Sequence, residues 1–272
     1  MRLERIVPRV SVTATLANPA CYARILGNCS SVLSDEHFIS FGLLARVCKD
    51  DRGLYVRGLG RDPTWRWIQP ERVVSRVLCT AHNSALAPYD AFIGEFGDEL
   101  LRTVAAVSGD RGISTVVRFD GQNLERWMLK ALCGLVASGQ AARQDGAPLD
   151  KAVPDDWVRW LFGQADILPP LGLYFRGEIG DQQPIGPSVT IGPITTAGGK
   201  VVGLEFSFEW WQAVLVLVDW QGTATGAIRP TSIRRPQYVA LKNENGEHRV
   251  EFAWPHSPGP GVELTYTRGT PG

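Results

Sequence analysis

The chain has 272 residues, of which 44% are hydrophobic and 21% are charged, and this balance is typical of a folded globular protein with one large or two modest domains. The 28 Lys and Arg residues equal the 28 Asp and Glu residues, so no global positive field attracts nucleic acid, and any such contact needs a local basic surface. No stretch approaches the roughly 18 consecutive apolar residues of a membrane span, and residues 1–5 lack the apolar core of a secretory signal. We therefore expect a cytoplasmic protein without membrane contact, whose five cysteines are reduced and act as metal ligands or buried side chains.

The first candidate functional segment is residues 34–40, with the sequence SDEHFIS. It places the carboxylates of Asp35 and Glu36 beside the imidazole of His37. A carboxylate can hold a hard divalent cation, and an imidazole with an ordinary pKa of about 6.5 can deprotonate a water molecule, so this combination suits metal-assisted hydrolysis. Acidic residues beside a histidine are also common on protein surfaces, and an ordinary surface segment is the alternative interpretation.

Residues 47–57 are predicted to form a hairpin, because residues 49–53 contain the Asp and Gly of a tight turn. Two groups of arginines follow, and each is interpreted as a solvated surface, with a basic nucleic-acid-binding surface as the alternative. The first group is Arg61, Arg66, Arg72 and Arg76, interleaved with Trp65 and Trp67, and the second is Arg229, Arg234 and Arg235.

The second candidate functional segment, LCTAHN, contains Cys79 and His82 and precedes a predicted helix. Structural zinc sites take four Cys or His ligands in a tetrahedron, commonly as two pairs on tight turns, and Cys79 and His82 have the spacing of one pair. Cys21 and Cys29 offer the other pair, although their gap is wider than the usual one of about two to four residues, and Cys48 competes for one of these positions. Ordinary buried thiols and a helix-capping histidine are the alternative.

Two longer helices are predicted next. Apolar residues recur at helical spacing over residues 87–107, where Pro88 suits a first turn. A second apolar stripe predicts a helix over residues 122–138, which Asp120 or Asn123 could cap.

The remainder of the chain changes from helical to strand-like patterns. A Pro/Gly-containing linker over residues 140–154 precedes a short predicted helix over residues 155–162. The tail after Pro255 is rich in Gly, Pro, Ser and Thr and is predicted to be frayed. Strands are predicted at residues 172–177, 188–191, 201–208, 213–220, 238–241 and 249–254.

Together these elements predict an α+β protein in three parts. The first, residues 1–109, is a zinc-held finger module that carries both candidate segments. The second, residues 110–165, is a segment of central helices. The third, residues 166–272, is a β-rich region with an antiparallel sheet and no recognisable catalytic group.

The two candidate segments resemble elements of the HNH endonuclease superfamily. The Glu-His-x-Ile element beginning at Glu36 and the Leu-Cys-x2-His-Asn element ending at Asn83 are similar to the Glu-His-x-Ile-Pro and Cys-x2-Cys-Asn elements of bacterial and phage proteins in this family. Three departures are evident. Ser40 stands where the family has Pro, His82 replaces the second Cys of its pair, and no Asn before Cys79 matches the central Asn of the family signature.

The resemblance implies a ββα-metal finger of the treble-clef type that hydrolyses phosphodiester bonds in DNA or, alternatively, RNA. It implies structural Zn²⁺ on Cys21, Cys29, Cys79 and His82, and Mg²⁺ or a similar divalent ion at the catalytic site. The matching catalytic residues are His37 as general base, Glu36 as the acidic residue on the metal, Asp35 as an auxiliary acid and Asn83 as the group that positions metal or phosphate. Asp90, early in the following helix, would orient a finger residue or act as an ordinary acid near a helix N-terminus.

The departures from the family pattern leave two alternatives to a nuclease. In the first, the finger folds around zinc and binds nucleic acid or a protein partner without cleavage. In the second, the chain is a globular protein without a metal.

Overall fold

The computed structural model of this chain describes residues 4–10, 17–48, 54–57, 65–108, 114–140, 149–176, 189–218, 228, 231–244 and 246–265. These residues form four α-helices and thirteen β-strands arranged in several sheets, which confirms the predicted α+β class. Among the helices of these ranges, none combines the length and the apolar character that crossing a membrane requires.

The N-terminal part contains two antiparallel strand pairs and a short helix. Its elements are β1 (Leu33–His37), α1 (Phe41–Val47), β2 (Leu54–Arg57), β3 (Trp65–Ile68) and β4 (Val74–Cys79). β1 pairs with β4, and β2 pairs with β3. The hairpin predicted over residues 47–57 is therefore wrong, because Val47 ends a helix whose Leu43 and Leu44 are buried, and β2 pairs with a later strand. The predicted turn itself, residues 49–53, lies outside the described residues.

Helix α2 (Thr80–Ser108) follows β4 without a loop and is longer than predicted. Pro88 was expected in the first turn but lies inside the helix. A proline in a helix interior costs about 3 kcal/mol, whereas each fully buried large apolar side chain contributes about 1.5–3 kcal/mol. The buried face that includes Leu86 and Tyr89 outweighs the proline. Because the helix begins at Thr80, His82 lies in its first turn.

Helix α3 (Gly121–Ser138) confirms the second predicted helix. The carboxylate of Asp120 caps it by accepting a 3.1 Å hydrogen bond from the backbone N–H of Asn123, and Gly139 ends it in the left-handed conformation at φ 65°. All residues over 121–136 are buried. A helix that is covered on every side lies at the centre of a protein, so the other parts of the chain pack around α3.

The C-terminal half forms two larger sheets after a short helix, α4 (Asp155–Leu161), which confirms the prediction for residues 155–162. The remaining strands are β5 (Thr115–Asp120), β6 (Gly172–Phe175), β7 (Val189–Thr195), β8 (Val201–Phe208), β9 (Trp211–Val216), β10 (Ile233–Arg234), β11 (Tyr238–Asn243), β12 (Gly246–Ala253) and β13 (Val262–Thr265). Among the described strands, one sheet is antiparallel, in the order β10-β6-β9-β8-β7, as predicted.

The second sheet, β13-β11-β12-β5, is mixed, because β13 runs parallel to β11 and β5 runs parallel to β12. The prediction of a purely antiparallel C-terminal region is wrong for this sheet. β5 belongs to the segment that was predicted to be helical, and β13 lies in the tail that was predicted to be frayed.

The hydrophobic core joins side chains from all three predicted parts. Phe96 of α2 meets Trp211 of β9 edge to face at 5.2 Å between ring centroids, and Trp127 of α3 meets Phe206 of β8 at 4.9 Å. The boundaries after residues 109 and 165 stay predictions.

Buried charges connect α3 to the C-terminal half. Glu125 forms a bidentate ion pair with Arg235, with 2.7 Å from Nε to Oε1 and 2.8 Å from Nη2 to Oε2. Arg235 is 0% exposed, so its interpretation as a solvated surface arginine is wrong. The neighbouring Arg126 of α3 is also buried and lies 3.5 Å from the carboxylate of Asp166. A buried charge is tolerated only when it is paired and hydrogen-bonded, and Glu125 and Arg126 both meet this requirement.

An extended N-terminal segment around Ile6 is held against α2 and α3 by its main chain. The side-chain amide of Asn123 accepts a 3.0 Å hydrogen bond from the Ile6 N–H and donates one of 3.1 Å to the Glu4 carbonyl. The Ile6 carbonyl accepts two more, from the Tyr89 hydroxyl at 3.3 Å and from Arg126 at 3.4 Å. Side chains of the two helices therefore satisfy the backbone groups of this segment.

We expect Arg235→Met to lower the free energy of unfolding by about 3–5 kcal/mol, because it leaves the carboxylate of Glu125 buried without a partner. Urea denaturation measures the change. Arg118→Met, which removes an ion pair on an exposed arginine, is the matched control and should cost about 1 kcal/mol or less. Equal losses in the two variants would contradict the role assigned to the buried pair.

Candidate metal centre

The predicted zinc ligands come from two segments that the fold brings together. Cys21 and Cys29 lie on either side of a short 3-10 turn, whereas Cys79 ends β4 and His82 lies in the first turn of α2. The backbone N–H of Tyr22 donates to the Val77 carbonyl at 3.0 Å, which ties the cysteine loop to β4.

The four ligand atoms form one compact buried group. All lie within 4.8 Å of one another, and the Nδ1 atom of His82 is 3.1 Å from the sulfur of Cys79, 3.5 Å from that of Cys21 and 3.6 Å from that of Cys29. In a tetrahedral site with Zn–S of about 2.3 Å and Zn–N of about 2.0 Å, sulfur and nitrogen ligands lie about 3.5 Å apart. The spacing of this Cys3His group therefore suits a metal ion such as zinc. Cys48 lies outside the group.

The wide gap between Cys21 and Cys29 is closed by backbone geometry. After the 3-10 turn, Gly27 has φ 70° and Asn28 has φ 54°, two consecutive residues in the positive-φ region. Gly and Asn adopt that region most readily, so the sequence supports a reversal that returns Cys29 toward Cys21.

The thiols differ in how readily they ionise. Burial raises the pKa of the Cys21 thiol to about 12. Burial also acts to raise the pKa of Cys79, but the backbone N–H of His82 and the hydrogen bonds from Ser30 outweigh it and lower that pKa below its ordinary value. Burial lowers the pKa of His82, which keeps its imidazole neutral and able to bind a metal. Three thiolates this close together need a cation between them, so a bound metal would release protons and stabilise the fold.

Helix α4 closes the group on the remaining side. The ring of Phe162, directly after α4, meets the imidazole of His82 edge to face at 5.4 Å and an interplanar angle of 82°. The Nε2 atom of His82 is buried without a hydrogen-bond acceptor among the described residues. The centre therefore has an apolar wall and connects the N-terminal strands to the helical core.

The predicted catalytic residues lie in different surroundings. Along β1, Asp35 is exposed and lies 3.8 Å from Arg76, whereas Glu36 is buried. His37, at the end of β1, is half-buried against the ring of Phe41, with 5.6 Å between centroids. Asn83 is half-buried in the first turn of α2. The two carboxylates thus have opposite environments, as expected for neighbours on a strand.

Glu36 belongs instead to a buried polar network around Lys130. The Lys130 ammonium lies 2.5 Å from Glu36 Oε1 and 3.0 Å from Asp90 Oδ1, and it donates a 3.0 Å hydrogen bond to the His37 carbonyl. The hydroxyl of Ser40 donates to Asp90. Burial acts to lower the pKa of Lys130, but the carboxylates of Glu36 and Asp90 outweigh it and raise that pKa, so the ammonium stays charged.

Sequence reasoning missed Lys130, although a signal for it exists. Residues 127–136 read WMLKALCGLV, and Lys130 is the single charged residue among them. A helix stretch that is apolar all round has no solvent face, so a lysine within it must be buried and must have an acidic partner.

Comparisons of the chain with protein-family models, with curated proteins and with solved structures find no match. Fold and site together define an α+β protein with a buried Cys3His group that could hold a metal ion.

We expect the purified protein to contain about one zinc ion per chain, as a structural Cys3His site is normally filled. Cys79→Ser should lose the zinc and about 3 kcal/mol or more of stability, because metal binding contributes directly to folding. Elemental analysis and thermal unfolding measure both effects. Cys48→Ser, at a half-buried cysteine outside the group, is the control and should keep its zinc. Retention of zinc by Cys79→Ser would contradict the assignment.

Proposed function

We propose that this chain is a zinc-held finger protein that binds DNA through its N-terminal module without cleaving it. The observation that carries the proposal is the ion pair between Glu36 and Lys130. An ammonium already neutralises the carboxylate that a nuclease would need for its divalent ion.

The arrangement of the finger supports the likeness to the HNH superfamily. Two antiparallel strands, β1 and β4, are followed directly by α2, and α1 and the β2–β3 pair lie between the strands along the chain. The Cys3His group sits where β4 meets α2, and zinc there would hold the strands to the helix.

Exposed side chains that could contact nucleic acid lie on the same module. Trp67 of β3 is 49% exposed, Arg72 is exposed in the turn before β4, and the Arg76 side chain of β4 is 65% exposed. Exposed arginines neutralise phosphates, and an exposed indole offers a face on which bases stack. Because the chain as a whole carries no net charge, a local surface of this kind is what nucleic-acid binding would require.

A nuclease is the second candidate, and His37 favours it. Burial, followed by the charge of Lys130, lowers the pKa of His37, so its imidazole is neutral near pH 7, as a general base must be. In this candidate, Mg²⁺ would bind at Glu36 and Asn83, and Lys130 would first have to release Glu36. That requirement makes binding without cleavage the better supported function.

Incubation of the protein with plasmid DNA and Mg²⁺ or Mn²⁺ distinguishes the two candidates. We expect no nicking or linearisation above the level given by His37→Ala, because Glu36 is paired with Lys130. Agarose gel electrophoresis reads the outcome. Cleavage by the wild type that disappears in His37→Ala would establish the nuclease and overturn the proposal.

Fluorescence anisotropy with a labelled DNA duplex at several salt concentrations tests binding. We expect the double variant Arg72→Ala/Arg76→Ala to bind more weakly and to reduce the slope of log K against log salt by roughly two, about one for each lost phosphate contact. Arg159→Ala, at an exposed arginine of α4, is the control and should bind like the wild type. Absence of DNA binding by the wild type would instead direct the search to RNA or to a protein partner.

A further inference from the structure

We propose that Glu36, Asp90 and the carbonyl of His37 form a preformed cation site that the ammonium of Lys130 occupies, and that these oxygens bind a divalent cation once the ammonium is removed. The inference is independent of the zinc group and of DNA binding. It assigns a second metal-binding site to the chain, which the Lys130 ammonium blocks in the wild type.

The oxygens converge on a single point. Glu36 Oε1, Asp90 Oδ1 and the His37 carbonyl lie 2.5, 3.0 and 3.0 Å from the Lys130 nitrogen. The ammonium donates hydrogen bonds to Asp90 and to the His37 carbonyl, and it meets Glu36 as an ion pair. Two carboxylates and one carbonyl are also the ligand types that hard divalent cations prefer in proteins.

The charge of the site favours a divalent ion. Glu36 and Asp90 together carry two negative charges when ionised, and Lys130 neutralises one of them. Glu36 is 1% exposed, and the Asp90 side chain is 33% exposed. A divalent cation would neutralise both carboxylates at a site where water solvates charge poorly. The partly exposed Asp90 side chain gives the ion a route into the site.

Two of the three oxygens, those of Asp90 and the His37 carbonyl, are held by contacts that do not involve Lys130. The hydroxyl of Ser40 donates to Asp90 and accepts a 2.7 Å hydrogen bond from the indole N–H of Trp127. The chain after His37 is pressed against α3, since a Cβ at Gly134 would lie 2.5 Å from the Cβ of Phe38. Removing the lysine side chain should therefore leave the Asp90 and His37 oxygens in place around the volume that the lysine side chain occupied.

Calcium is the cation that fits these oxygens with the least movement. Calcium–oxygen distances are about 2.3–2.6 Å, and its geometry is flexible, whereas Mg²⁺ requires about 2.0–2.1 Å and near-octahedral order. The Glu36 oxygen already lies 2.5 Å from the site centre, and the other two need to move inward by only a fraction of an ångström. Calcium also avoids the sulfur ligands of the Cys3His group.

The test compares thermal unfolding and isothermal titration with CaCl₂ for the full-length wild type, Lys130→Ala and Lys130→Ala/Glu36→Gln. We expect millimolar Ca²⁺ to raise the Tm of Lys130→Ala by at least about 3 °C. The wild type, whose site is filled by the ammonium, should shift by less than about 1 °C, and so should the double variant, which lacks one carboxylate charge. Any one of three results would overturn the proposal. These are no Tm shift in Lys130→Ala, an equal Tm shift in Lys130→Ala/Glu36→Gln, or saturable Ca²⁺ binding by the wild type that Glu36→Gln removes.

Lys130→Ala leaves the buried carboxylate of Glu36 and the partly exposed carboxylate of Asp90 without a counterion and could fail to fold in the absence of the ion. In that case Lys130→Ala itself is refolded with and without Ca²⁺, and Lys130→Ala/Glu36→Gln is refolded in the same way as the control. Recovery of cooperative unfolding that depends on Ca²⁺ supports the site. Refolding that is the same with and without Ca²⁺, or that fails in both conditions, overturns it.

Discussion

The fold depends on the burial of α3 together with its charged side chains. Glu125, Arg126 and Lys130 are buried along with the apolar residues of this helix. A buried charge without a partner costs several kcal/mol, which is a large part of the stability of a typical domain. Each of these charges therefore needs an oppositely charged partner on the segments that pack against α3. The partners lie in different parts of the chain, and the pairing therefore fixes how those parts surround α3.

Glu125 and Lys130 of α3 pair with different parts of the chain. Glu125 binds Arg235, which lies between β10 of the antiparallel sheet and β11 of the mixed sheet, and Lys130 binds Glu36 of β1. These two contacts place the C-terminal sheets and the N-terminal strands on one helix. The Cys3His group supplies a separate constraint, since it joins β4 and α2 to the cysteine loop without using any residue of α3. A metal ion bound at the Cys3His group would thus hold the N-terminal module at a second point, separate from the charge pairing.

Local patterns in the sequence predicted most of the helices and the metal ligands. The spacing of Cys79 and His82 is a local feature, and it identified half of the Cys3His group. The other half, Cys21 and Cys29, followed from residue type, although the turn that closes their gap depends on backbone angles that spacing does not reveal. Longer-range features were missed, because a parallel strand such as β13 pairs with a partner that no neighbouring residues indicate.

The buried charges were missed for a related reason. A lysine or arginine usually marks a solvent-facing position, so Lys130 and Arg235 were expected on the surface or passed over. Their burial is evident only when the acidic partners, which are distant in the sequence, are brought into contact. Glu36 and Lys130 are also distant in the sequence, so their pairing could not be predicted. Glu36 resembled a metal ligand in the sequence, but in the structure its carboxylate is paired with the Lys130 ammonium.

The way in which Asn123 holds the N-terminal segment has a consequence for how that segment can vary. Asn123 contacts the carbonyl of Glu4 and the N–H of Ile6, groups that every residue except proline supplies in full. The identity of residue 4 is therefore only weakly constrained by this contact, whereas the spacing between the two positions is strictly constrained. Insertion or deletion of one residue here would bring the wrong backbone groups to Asn123. This segment should therefore tolerate substitutions much better than insertions or deletions.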